Sequence, residues 1–399
     1  MLKMIKSIFL LLLILFTAAA YAREIKPGVI IDKENYSDYL PALKNMLCPS
    51  MFVAYTEGLE KGWITMPVVE KKKVPPPPGF IEATNKYYRQ CKLLPNNQLT
   101  NWIAGAPFPK PNTAAELAWN AYKTPSLPDD ACFPSKFHLI DKNGKKERGF
   151  TWVIYKKFWM GRRHVAPLPE IPGNNDILDS KESIIITSPF DVKGFIQLRI
   201  RYWDLSKDDE CYSYLPALRR LRRLTGSDLT DPLLGSDTIP DDFQIWRQKI
   251  NSKITFKILE TRDFLAPRYY LGNKDPATED LMKGNCLQVE WEIRPFYVLE
   301  VMENDPEYVY SKRVIYIEKD NKTFCMIWGD NYDQNGRLFK SDEQLSNYSP
   351  ETFIHGARVH RYRNLLTSHT TVLDMNFFLD GSSFPVNKFS IKHLLREAR

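Results

Sequence analysis

A chain of 399 residues that is 43% hydrophobic is long enough to bury a large core, as one big domain or as a domain with an N-terminal extension. Its formal net charge of +7 is mildly basic and lacks the concentrated footprint of a nucleic-acid-binding protein. Beyond residue 22 no stretch approaches the roughly 18 apolar residues of a membrane-spanning helix.

Residues 1–22 read as a secretory signal peptide. Lys3 and Lys6 form the positive n-region, Ile8 to Phe16 the apolar h-region, and Ala20-Tyr21-Ala22 the small-residue cleavage site. Cleavage is expected after Ala22. The first cysteine is Cys48, so a lipid-modified cysteine at the cleavage point is not expected. All six cysteines (Cys48, Cys91, Cys132, Cys211, Cys286, Cys325) follow the leader and none forms a CxxC pair, which argues against a zinc or thioredoxin-like centre. An even number in an exported chain permits disulfides, with Cys48–Cys91 the first pairing to consider and buried thiols the alternative.

Residues 23–135 form a helical and proline-rich N-terminal region. Ser37 to Leu47 and Phe80 to Leu93 are short amphipathic helices, separated by the extended Pro75 to Pro78 tract. Thr113 and Glu116 have capping-box spacing ahead of a helix whose apolar stripe is Leu117, Ala118, Ala121 and Tyr122.

From residue 136 to 399 the pattern changes to short alternating runs. Phe195 to Trp203, Lys253 to Leu259, Leu287 to Arg294, Phe296 to Met302, Tyr308 to Glu318, Lys322 to Trp328 and Leu365 to Asn376 read as strands, with Asp320-Asn321 and Asn335-Gly336 at hairpin turns. Strict alternation marks antiparallel sheet with one buried face. Nine to eleven strands, with helices gathered near the N-terminus, give an α+β fold built on a large curved antiparallel sheet under helices.

Residues 211–242 carry the densest charge. Arg219, Arg220, Arg222 and Arg223 lie between leucines and are followed by Asp237, Asp241 and Asp242. Two readings stand: bidentate ion pairs that clasp a long loop to the sheet, or a contact for an acidic lipid headgroup or partner.

No nucleophile elbow, P-loop or dinucleotide turn is present, and nothing in the sequence argues positively for catalysis. His355, His360 and His369 are spaced by 5 and 9, which suits neither a helical nor a strand metal site. Asn331, Asp333, Asn335, Gly336 and Asp342 fall on calcium-loop positions, but strand-like flanks favour a plain hairpin. No metal or cofactor is expected. Twenty-two Phe, nine Trp and twenty Tyr are enough to line an apolar cavity as well as a core. Alternation nominates Ile200, Tyr202, Phe256, Ile258, Val289, Trp291 and Ile293 for such a cavity.

Three segments together resemble a known family. They are Trp102-x-Ala-Gly-x-Pro-Phe-Pro-x-Pro with Glu116, Trp119 and Asn120; Tyr214-Leu-Pro-x-Leu-Arg219-Arg220-Leu-Arg222-Arg223 with Asp237, Asp241 and Asp242; and Tyr310-x-Lys312-Arg313-x-x-Tyr316 with Asp320, Asp330, Tyr332, Asp333 and Gly336. In this order they resemble an uncharacterised domain-of-unknown-function family of exported bacterial proteins related to the outer-membrane lipoprotein-sorting (LolA/LolB-like) carriers. The resemblance covers residues 100–345, whereas the polyproline tract and the cysteines depart from the family's usual N-terminal segment.

It implies a half-open, LolA-like β-barrel closed by helices, a location in the Gram-negative periplasm, and no established catalytic residues. Family genes often neighbour RND-type exporters, which implies a part in moving lipid-like molecules to the outer membrane. The expected function is therefore a periplasmic carrier or chaperone for a hydrophobic ligand. A non-transporting accessory subunit docking on an exporter or outer-membrane protein is the alternative, and a hydrolase acting on lipid or glycan the third reading.

Overall fold

The computed structural model describes residues 23–124, 127–204, 206–224, 230–270, 281–349, 354–375 and 385–397, with backbone alone at 349, 354–357 and 397. The expected signal peptide and the side chain of His355 lie outside the described residues. Five helices are described: α1 (Tyr36–Met46), α2 (Pro49–Glu60), α3 (Pro78–Tyr87), α4 (Ala114–Tyr122) and α5 (Ile391–Glu397). No described helix is long and apolar enough to cross a membrane.

The chain divides into two compact units. The smaller gathers the N-terminal part up to Lys72 with Asp263–Arg268 and Leu281–Arg294. Pro49 starts α2, its fixed φ preset for a helix and its missing N–H no loss in the first turn. Tyr55 of α2 meets Trp291 edge-on at 4.7 Å. Glu292, 1% exposed, pairs with Arg268 at 3.0 Å and accepts from the Lys72 amide at 3.1 Å.

The larger unit holds most of a thirteen-stranded antiparallel sheet. Its strands are β1 (Asp130–Ile140), β2 (Lys146–Phe158), β3 (Leu178–Ser188), β4 (Ile196–Tyr202), β5 (Glu210–Leu215), β6 (Arg220–Leu224), β7 (Ile254–Pro267), β8 (Trp291–Glu303), β9 (Lys312–Glu318), β10 (Met326–Tyr332), β11 (Leu338–Ser349), β12 (Ile354–Asn364) and β13 (His369–Met375). The order across the sheet is β6-β5-β4-β3-β2-β1-β13-β12-β11-β10-β9-β8-β7. Two meanders therefore run outward from a central pair, in which the first and last strands join (Phe137 opposite Leu373).

This order has a topological consequence. β6 and β7 are the two edges of an open sheet, yet they are consecutive in sequence. The chain between them must cross from one edge to the other, and residues 230–253 do so over one face. The sheet curves around this crossover. Eight strand spacings separate β4 from β9, about 38 Å in a flat sheet at ~4.8 Å each. Asp241 nevertheless touches Arg199 of β4 at 3.1 Å, and the adjacent Asp242 touches Arg313 of β9 at 2.8 Å. Register shifts in six of the strand pairs supply the bending.

The core is layered on both faces. On the crossover side Ile245, Trp246 and Ile250 join Leu117, Ala118, Ala121 and Tyr122 of α4 and Leu299, Ile315 and Met326 of the sheet. The capping box of α4 is formed, with the Glu116 amide donating to Thr113 Oγ1 at 3.2 Å and the Glu116 carboxylate accepting from the Thr113 amide at 3.3 Å. On the other side Phe389 and Leu394, the latter in α5, cover Leu178, Ile185, Ile196 and Leu198.

The sequence reading differs from the structure at two places. It separates Leu287–Arg294 from Phe296–Met302, whereas β8 runs unbroken through Pro295. Pro295 lies just beyond the β8–β9 ladder, which begins at Phe296, so its missing N–H interrupts no bond of that pairing. The strand number is also higher than nine to eleven, because β1 begins at Asp130, ahead of residue 136, and β5 and β6 lack the full alternation that the reading relied on.

Candidate functional site

The crossover is fixed to the sheet by its aspartates. Asp237 accepts from Thr371 Oγ1 at 2.8 Å and pairs with His369 Nδ1 at 2.6 Å, both on β13. Asp241 accepts from Arg199 and from the Tyr308 hydroxyl, each at 3.1 Å. Asp242 is fully buried, pairs with Arg313, and accepts from the Tyr310 hydroxyl and the Ile239 amide at 3.0 Å. Arg313 also lies 3.6 Å from Asp342, whose carboxyl burial and the nearby Asp242 charge push well above the usual carboxylate range.

The clasp expected from the sequence thus exists with different arginines. Among the described residues none of Asp237, Asp241 and Asp242 pairs with Arg219, Arg220, Arg222 or Arg223. Those four are exposed on the edge hairpin β5–β6. The physical reason is topological, since residues 237–242 meet their partners on the inner strands β4, β9 and β13.

A chamber opens between the crossover and strands β1 to β4, β12 and β13, with about 650 Å³ of space counting its open mouth. Its walls differ in character. Leu127, Phe133, Ile154, Phe243, Leu373 and Met375 form an apolar side, while Lys156, Arg199, Arg201 and Arg247 face it with the carboxylate of Glu182 among them. A second recess shares Lys156, Arg201 and Arg247 and adds Trp102, Lys123, Arg163 and Asp179.

The cationic wall is held rigidly. Asp209 accepts from Arg199 at 3.0 Å and from Arg201 at 2.9 Å. Burial alone would raise the Asp209 carboxyl, but Arg201 and Arg199 hold it down at about 2. Arg201 further donates to the Tyr122 hydroxyl at 2.7 Å and to the Arg247 carbonyl at 2.8 Å. Lys156 pairs with Glu182 at 3.0 Å, and Lys123 pairs with Asp179 at 2.8 Å while lying over the Trp102 and Trp203 rings. Arg247 donates to the Tyr122 carbonyl at 2.8 Å, and desolvation lowers it to about 10.

His360 completes the lining. It is 1% exposed, and burial followed by the Arg247 charge lowers it to about 3, so the ring is neutral. Its Nδ1 lies 2.8 Å from the Tyr362 hydroxyl and 3.3 Å from the Gln244 amide, which places the proton on Nε2. That Nε2 has no hydrogen-bond partner among the described residues.

The apolar residues nominated from alternation are not brought together. Ile200 and Tyr202 lie on the other face of β4, in the layer under Phe389 and Leu394. Phe256 and Ile258 pack against the cluster containing Trp246. Trp291 is buried against Tyr55 in the smaller unit, and Val289 and Ile293 of that unit are half-buried. The chamber instead uses the polar side of β4, Arg199 and Arg201. The spacing of two arginines at i and i+2 followed by Asp208 and Asp209 was the available signal, but in an exposed strand the same pattern is a solvated face.

The remaining motifs are accounted for structurally. His369 bridges Asp237 and Glu147, the latter at 3.2 Å. Residues 331–342 form the β10–β11 hairpin, where Asp333 accepts from the Asn335 and Arg337 amides at 2.9 Å. Each of the six cysteines is a thiol, so the Cys48–Cys91 bridge is not formed. Cys48 sits at the N-cap position of α2, without a side-chain capping bond, 3.7 Å from the Ser50 hydroxyl, while Cys91 follows α3 closely, and burial pushes its thiol up to about 11.

Residues 30–387 match the family described as Protein of unknown function (DUF1329), and the chain belongs to that family. Among curated proteins none matches the chain in sequence. Several solved structures are similar, three of them as follows. A putative outer membrane lipoprotein-sorting protein domain from Vibrio parahaemolyticus is 19% identical, with 70% of this chain and 97% of that chain covered and a TM-score of 0.49. A DUF1329 family protein from Desulfovibrio piger is 20% identical over 70% and 95% of the two chains, also at 0.49. A LolA superfamily protein from Nitrosomonas europaea is 15% identical over 71% and 100%, at 0.45.

Proposed function

We propose that this protein is a periplasmic carrier that binds a lipid-like molecule in the chamber beneath the crossover and works with an RND-type exporter toward the outer membrane. The observation that carries the reading is the two-sided lining, apolar on Phe133, Leu373 and Met375 and cationic on Lys156, Arg199, Arg201 and Arg247. Such a lining suits an amphiphile. Hydrocarbon against the apolar wall is stabilised by roughly 25 cal/mol per Å² removed from water, and an anionic head against the arginines offsets their desolvation. The Nε2–H of His360 adds a buried donor for a ligand oxygen.

Organic extraction of the protein purified from the periplasm, followed by mass spectrometry, tests the reading. One amphiphile per chain, reduced at least tenfold by Phe243→Glu on the half-buried crossover side, is the expected result. Protein that comes out empty from every preparation would overturn it. Co-purification with a membrane exporter tests the partner separately.

A further inference from the structure

Among the described residues, the arginine block that dominates the sequence takes no part in the clasp or the chamber. We propose that the β5–β6 hairpin is a docking surface for a bilayer containing anionic phospholipid.

The hairpin is the free edge of the sheet, with Leu221 opposite Tyr214, Arg222 opposite Ser213 and Arg223 opposite Tyr212. Its turn holds Arg219 in the left-handed region at φ 50°, a conformation that an arginine adopts at a cost. Arg219, Arg220, Arg222 and Arg223 are all exposed, and so are Leu218 (60%) and Leu221 (42%). The hairpin's one carboxylate, Glu210, accepts from the Tyr202 and Tyr212 hydroxyls at 2.8 and 2.6 Å. Asp241, Asp242 and Asp237 are held by Arg199, Arg313 and His369.

Protection of a sheet edge against pairing needs only one or two charges. Four arginines around two exposed leucines match something else. A bilayer interface takes both kinds of group, phosphates on the guanidinium forks and leucine at the acyl boundary. An acidic protein is the alternative occupant that the vesicle test excludes.

The same edge is continuous with the chamber wall. Arg222 lies opposite Ser213 and Ser213 opposite Gln197, while Leu224, Cys211 and Arg199 form the next row. Leu221, Tyr214 and Ile196 form a row on the opposite face, so the hairpin carries side chains of both faces to the edge. The inference stands on residues outside the chamber and holds whatever the cargo is.

Flotation of the full chain with vesicles tests it, using phosphatidylglycerol–phosphatidylcholine mixtures against phosphatidylcholine alone at low and at high salt. Each arginine near an anionic surface is worth about a fivefold change in partition. Replacing all four by Gln should lower binding to anionic vesicles on the order of a hundredfold or more, and salt should weaken the wild type. Leu218→Ser should lower it by less than tenfold. Because the replaced side chains are exposed, circular-dichroism melting of the fourfold variant should overlay the wild type. If it does not, Leu218→Ser and the salt dependence of the wild type decide. Equal binding to both vesicle types, or an unchanged fourfold variant, would overturn the proposal. Retention on polyglutamate without binding to anionic vesicles would overturn it in favour of an acidic protein partner. The Phe243→Glu variant should bind vesicles as the wild type does, which separates this test from that of the chamber.

Discussion

Asp242 has no solvent contact and shares Arg313 with Asp342, so its charge is matched only while the crossover stays in place. Asp242→Asn would leave Arg313 under-compensated in the interior, and breaking a buried pair of this kind costs about 3–5 kcal/mol. Urea unfolding of the variant should show that loss, whereas the exposed Arg222→Gln should fall within about 0.5 kcal/mol of the wild type. His369 works at the same scale with pH. Although burial opposes its charge, Asp237 and Glu147 raise it above the ordinary histidine range. A raised folded value means that the contribution is complete below the unfolded value, about 6.5, and disappears as pH rises through the folded one. Wild-type stability measured between about pH 6 and 9 should therefore decline more steeply with pH than that of His369→Gln. The thiols give a third check at this scale. Denaturation without reductant should expose six groups to a thiol reagent, and fewer would mean that disulfides form.

At the scale of elements, the strands and the α4 cap were legible because period-two alternation and the Thr113–Glu116 spacing are local signals. The side of the sheet that encloses the chamber was not legible. Alternation in β4 sets Leu198 and Ile200 against Arg199 and Arg201, but it cannot say that both faces are covered. The polar face became internal because the connection between two sheet edges runs over it, bringing Asp241 and Asp242 to meet the arginines. The same long-range connection explains why Arg219 to Arg223 looked like the aspartates' partners, being their neighbours in sequence alone. The crossover's seat is testable at Gly329 of β10, where an added Cβ would lie 3.0 Å from Ile245 Cγ2. Gly329→Ala should push the crossover outward and cost about 1–3 kcal/mol, as overpacking does, with faster amide exchange in residues 237–250.

At the scale of the whole chain, the chamber lies within the larger unit, between the curved sheet and the crossover that runs over its face. The apolar wall of that space lies on the central strands, and the cationic wall lies toward the arginine-bearing edge. Cargo with an anionic head and a hydrocarbon body fits this polarity, and an uncharged hydrocarbon would leave the arginines facing apolar groups. The decisive measurement is mass spectrometry of what organic solvent extracts from the purified protein. One anionic amphiphile per chain is expected, lost from Phe243→Glu and weakened by replacing Arg199 and Arg201 with Gln. Wild-type protein that carries no such molecule and fails to take one up from mixed micelles would contradict a carrier role for the chamber.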